Sequence, residues 1–140
     1  MAKSWQEKFD NGRAPHVTVL DAPYAGVKAG GTLFIASPAL IDRAVRTVRR
    51  GRTRTVEQLR NDLAAENRAD GTCPLTTGIF LRIVSERALE QVANGASMAR
   101  VTPFWRVIDP ESPLARKLSC GPAFVREQRE AEQRGASRRS

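Results

Sequence analysis

Residues Thr55 to Gly95 read TVEQLRNDLAAENRADGTCPLTTGIFLRIVSERALEQVANG, and this stretch decides the fold. Thr55 with Gln58 three residues on has the pattern of a capping box, so a helix opens there. Val56, Leu59 and Leu63 recur at helical spacing and form its expected buried side. Asn67-Arg68-Ala69-Asp70-Gly71 is a turn. A further helix is expected from Thr72-Cys73-Pro74 to about Val92, with Leu75, Ile79, Ile83 and Val84 inward, and Asn94-Gly95 stops it. Two helices joined by a polar turn outline a helix-turn-helix.

Upstream, Ser37-Pro38 starts another helix. Serine can accept the free amide hydrogens of a first turn, and proline at the first helical position gives up no needed donor. Leu40, Ile41, Ala44, Val45 and Val48 make its apolar stripe, Arg43, Arg46 and Arg50 face away, and Gly51 is expected to end it. Downstream, Val101 to Ile108 (VTPFWRVI) is β-prone and Asp109-Pro110 turns it, so a short strand pair is expected to act as a wing. A polar helix from about Phe124 to Gln133 follows, and residues 136–140 are expected to be a disordered basic tail. Residues 1–36 form an N-terminal extension that packs on the body and takes no part in chemistry. Trp5 and Phe9 share one side of a short helix there, His16 to Leu20 alternates weakly as a strand, and Gly30-Gly31 leads into Leu33-Phe34-Ile35. The body is then 37–135, and the fold class is mainly α.

Composition bounds the partners. The chain has 140 residues, 23 Lys plus Arg against 15 Asp plus Glu, and a net charge of +8. Such an excess favours polyanions. Seven arginines and one acid, Glu57, lie between Arg43 and Arg60, so most of the net charge sits in one short stretch. The plainer reading of such a stretch is a solvated face. Cys73 and Cys120 form no CxxC pair, and with His16 the only histidine they do not make a metal site, so neither metal nor cofactor is expected. The opening MAKSWQEKFDNGR carries charges where a signal peptide needs an apolar run, and no segment reaches membrane-spanning length. The expected setting is a reducing cytoplasm, with association to the nucleoid, no membrane contact and a monomeric state.

From Pro38 to about Gly135 the order of elements resembles the DNA-binding and catalytic domain of the O6-alkylguanine-DNA alkyltransferases and the related alkyltransferase-like proteins. Gly51 to Leu59 (GRTRTVEQL) stands where that family has G-x-V-x-S/T-Y-x-x-L-A. Leu75 to Arg82 (LTTGIFLR) matches R-x-V-G-x-A-L-R, and Val101 to Ile108 matches I-P-C-H-R-V-I, with Pro, Arg, Val and Ile in place. The resemblance implies a winged helix-turn-helix fold and double-stranded DNA as partner. It also implies where the chain departs. Phe104 takes the place of the cysteine nucleophile and Trp105 that of the histidine, and neither side chain can serve as nucleophile or base. The family arginine that holds a flipped base out aligns with Pro74 or Leu75, and the tyrosine beside its phosphate with Val56.

The implied function is a non-enzymatic, alkyltransferase-like DNA-binding protein, with alkylated guanine in DNA repair as its candidate target and a repair protein as a further partner. The alternatives are a methyltransferase acting through Cys73, at the start of a helix, or a module that kept the fold and meets protein or RNA. Candidate DNA contacts are Arg49, Arg50, Arg52, Arg54, Thr55, Thr76, Thr77, Gly78 and Arg82. About five phosphate contacts would give a log–log salt slope of roughly −4 to −5. The candidate lesion pocket is Pro103, Phe104, Trp105 and Arg106, with Phe104 facing the pocket, Trp105 buried and Arg106 holding the wing.

Overall fold

The computed structural model describes residues 4–139, with side chains up to residue 135. The chain is mainly α, with one small sheet. Its order is α1 (Trp5–Asp10), β1 (His16–Val19), β2 (Thr32–Ile35), α2 (Pro38–Arg46), α3 (Val56–Glu66), β3 (Gly71–Thr72), α4 (Pro74–Ala93), α5 (Pro113–Lys117) and α6 (Gly121–Arg139). A 3-10 turn, Phe104–Arg106, lies between α4 and α5. No helix among the described residues is long and apolar enough to cross a membrane.

Local sequence sets the helix starts. The Ser37 hydroxyl accepts from the Leu40 amide at 3.2 Å, and Pro38 occupies the first turn of α2. At α3 the box is reciprocal: Thr55 Oγ1 accepts the Gln58 amide and Gln58 Oε1 accepts the Thr55 amide, both at 3.0 Å. Asn94 caps α4, and Gly95 follows with φ +102°, a backbone that side-chain-bearing residues rarely adopt.

The sheet ties the first 36 residues to the body. β1 runs antiparallel to β2 with His16 opposite Ile35, and β2 runs parallel to β3 with Leu33 opposite Gly71. A side chain at Gly71 would come within 2.8 Å of Val27, so the first residue of β3 needs glycine. Phe34 enters the main core with Ile41, Val45, Leu59, Leu81 and Val84. A second core joins Ala88, Phe104, Trp105, Ile108, Leu118 and Val125, packing α4 and α6 against the 3-10 turn.

Four elements differ from the expectation. No strand pair forms over Val101 to Ile108, so there is no wing at that place. A strand turns neighbouring side chains to opposite faces, whereas here Phe104, Trp105, Val107 and Ile108 are all buried, which the 3-10 turn permits. α4 also presents a different face. Thr77, Leu81, Val84 and Ala88 point inward, while Leu75 and Ile79 are 65% and 48% exposed. Finally, α2 closes at Arg46, before Gly51, and α6 outruns the expected Phe124 to Gln133. The basic tail at 136–140 lies outside the residues whose side chains are described.

Candidate nucleic-acid interface

The exposed residues of α4 rim a cavity of about 630 Å³. Its walls come from four places: the start of α3 (Thr55, Val56), the first turns of α4 (Pro74 to Arg82), the stretch after the 3-10 turn (Val107 to Asp109), and α5 with Arg129 of α6. The lining is mostly apolar, with Val56, Leu81, Val107, Ile108 and Leu114 forming much of it. Nothing lies within 4 Å of where a side chain at Gly78 would begin, so the helix backbone between Leu75 and Ile79 can be approached closely.

Cations outnumber acids along this wall: Arg54, Arg82, Lys117 and Arg129 against Asp109. Two of them are already engaged. Arg129 donates from Nε to the Trp105 carbonyl at 2.6 Å and from Nη2 to the Ile108 carbonyl at 2.9 Å, which pins the inner wall. Burial draws its pKa down, opposed by Asp109. Arg54 pairs with Asp62 through Nε at 3.0 Å, and its amide donates to the Arg106 carbonyl at 2.9 Å. Arg82 makes no hydrogen bond among the described residues, and its Nε is buried without an acceptor.

The structure brings Arg54, Thr55, Gly78 and Arg82 to this cavity, four of the residues selected from sequence. Arg49, Arg50 and Arg52 are exposed, and although the Arg52 amide donates to the Arg49 carbonyl at 3.0 Å, none of the three side chains has a hydrogen-bond or ion-pair partner among the described residues. They do not ring the same hollow. Arg50 lines a second, more polar one of about 640 Å³, together with Arg46, Pro103, Trp105 and Arg106. Thr77 is fully buried and donates its hydroxyl to the Cys73 carbonyl at 2.7 Å, so it is not available to phosphate. Thr76 is half-buried with the same carbonyl 3.5 Å from its hydroxyl.

The pocket expected at Phe104 is filled. Phe104 has no exposed surface, stacks on Phe124 at 6.0 Å between centroids, and meets Trp105 edge-on at 5.3 Å. Trp105 is buried, with Nε1 donating to Glu132 at 2.9 Å. Arg106 is a structural clamp: Nε and Nη2 donate to Glu132 at 2.8 to 3.1 Å, and Nη1 donates to the Val48 carbonyl at 2.8 Å. Burial would raise the Glu132 pKa, but hydrogen bonds from Arg106, Trp105 and the Gly51 amide hold it below the ordinary carboxylate value. Pro103 is buried too, at the edge of the second hollow.

Neither thiol faces the 630 Å³ cavity. Cys73 packs with Val27 and Leu33. Burial pushes its pKa up, but the Thr76 hydroxyl, the Thr76 and Leu75 amides and the Tyr24 hydroxyl outweigh that and bring it below the ordinary thiol value. Cys120 is half-buried, and burial with the nearby Glu86 carboxylate raises its pKa.

Sequence reasoning missed Val107, Ile108, Leu114, Lys117 and Arg129 as cavity wall. The cap of α5 was legible, since Ser112 precedes Pro113 and its hydroxyl accepts the Ala115 amide at 3.2 Å. What places α5 and Arg129 across from α4 is long-range packing, which has no local signature. No family model, curated protein or solved structure matches this chain.

Proposed function

We propose that this chain is a non-enzymatic, alkyltransferase-like DNA-binding protein, with α3 and α4 as its helix-turn-helix and alkylated guanine as the candidate target. One observation carries the reading. The outward face of α4, with Leu75 and Ile79 exposed, opens directly onto a cavity of about 630 Å³, and the loop leading into α3 carries three guanidinium groups with no partner of their own. That volume lies within the range of sites that enclose small ligands, of the order of a nucleotide. An apolar side chain such as Leu75 can unstack bases as a wedge. Arg49, Arg50 and Arg52 are free to neutralise phosphate. Because the cavity wall carries no thiol, the reading is binding without alkyl transfer.

Band-shift titrations with a plain duplex and with the same duplex carrying O6-methylguanine, each at two salt concentrations, test this. Tighter binding of the alkylated duplex supports lesion recognition, and equal binding leaves a general DNA binder. No binding to either would overturn the reading in favour of an interaction module. Mass spectrometry after incubation with the alkylated duplex should show no methyl gain. A gain mapped to Cys73 would establish an alkyltransferase instead.

A further inference from the structure

Arg82 is the side chain at which the cavity and the N-terminal helix meet. It lines the cavity from α4, and its guanidinium carbon lies 5.5 Å from the centroid of the Trp5 ring on α1. The same ring carries Lys8 Nζ at 4.0 Å, so the indole is in reach of two cations. α1 is held to α4 by more than apolar contact. The Glu90 carboxylate accepts the Trp5 and Gln6 amides at 3.2 and 3.3 Å, satisfying free donors of the first turn. Arg87 donates to Gln6 Oε1 at 2.8 Å and lies 3.9 Å from the Phe9 centroid. Trp5 is thereby fixed against α4, although α1 has only six residues.

The Nε of Arg82 is buried without an acceptor among the described residues. A buried donor left unmade costs free energy. All the other buried side-chain nitrogens and oxygens of the described residues have partners, so the omission falls at the wall of the apolar cavity.

We infer that Trp5 and Arg82 act as one unit, with the N-terminal helix holding the Arg82 guanidinium in position to donate to an oxygen acceptor of the nucleic acid seated in the cavity. α1 is then part of the binding site, not merely packing. Trp5 is a positioning residue and Arg82 the contact. The inference rests on the DNA-binding reading above. It adds to it a donor and the helix that aims it.

The test is tryptophan emission and affinity together. The chain has two tryptophans, Trp5 and Trp105, so a Trp105→Phe background leaves Trp5 as the reporter. Titrating in the O6-methylguanine duplex should change Trp5 emission with the same midpoint as binding, and Arg82→Ala should abolish that change. In the wild-type background, Arg82→Ala and Trp5→Ala should each weaken binding about tenfold, while the double variant is no weaker than either alone, the signature of one coupled unit. Trp5→Phe, which keeps an aromatic face, should recover most of the affinity. Urea midpoints for each variant separate loss of binding from loss of fold. Duplex binding that leaves Trp5 emission unchanged, and is equally tight in Arg82→Ala and Trp5→Ala, overturns this inference alone. Absence of binding by the wild-type chain overturns the DNA-binding reading and this inference with it.

Discussion

Phe104 and Trp105 are neighbours in sequence, and the 3-10 turn sends both inward. Phe104 sits against Trp105 and Phe124 with no exposed surface, so its truncation empties a packed core. Phe104→Ala should cost about 3–5 kcal/mol in urea unfolding. A pocket-lining side chain would instead lose affinity with little stability. Glu132 is the second residue whose role is inside the molecule. It is 6% exposed and receives Trp105, Arg106 and the Gly51 amide, so it fastens α6 to the 3-10 turn and to the arginine-rich loop. Glu132→Ala leaves Arg106 half-buried without its anion and should cost about 3–5 kcal/mol. Its pH dependence has a definite sign. Because the folded pKa lies below the unfolded value, this stabilisation is fully present above the ordinary carboxylate value and is lost as pH falls through the lower folded one. Wild-type urea midpoints should therefore fall below about pH 4. Glu132→Ala should show a smaller fall over the same window.

At the scale of elements, the helix starts and the buried faces of α2 and α3 were legible, and the face of α4 was not. Thr55 and Gln58 satisfy each other's backbone donors, so Thr55→Ala should cost about 1 kcal/mol, measurable as a shift of the urea midpoint with unchanged slope. The same local chemistry made Ser37, Asn94 and Gly95 readable as boundaries. Val84 was read correctly as inward, but Leu75 and Ile79 were misread because α4 carries apolar residues on two sides, these two on one and Leu81 and Val84 on the other. What settles the choice is Thr77, a polar residue that tolerates full burial because its hydroxyl is satisfied by the carbonyl one turn earlier. The strand pair over Val101 to Ile108 failed for a tertiary reason. Its β-prone composition was outweighed by the need to bury consecutive side chains between α4 and α6. Of the candidate interface, the α3 and α4 walls were legible from Arg54, Thr55, Gly78 and Arg82. The α5 and α6 walls were not, because nothing near Leu114 or Arg129 in sequence tells which helix they will face.

Over the whole molecule, the +8 charge does not act as one patch. Several arginines are spent internally: Arg46 on Asp42 and the Arg100 carbonyl, Arg54 on Asp62, Arg60 on the Thr72 carbonyl, Arg106 on Glu132. Arg49, Arg50 and Arg52 are among those whose side chains stay unpaired within the described residues, and they share one loop between α2 and α3. These three carry the electrostatic part of the DNA reading, and each phosphate they neutralise adds about −0.9 to the log–log salt slope. Arg49→Ala, Arg50→Ala and Arg52→Ala sit on exposed side chains, so the triple variant should keep the wild-type urea midpoint. The most direct measurement is the salt dependence of duplex binding by fluorescence anisotropy, wild type against that triple variant. Salt-sensitive binding that becomes shallower by a slope of about 2.7 in the variant is the expected result. Wild-type binding that is absent or indifferent to salt, or a variant with an unchanged slope, would contradict it.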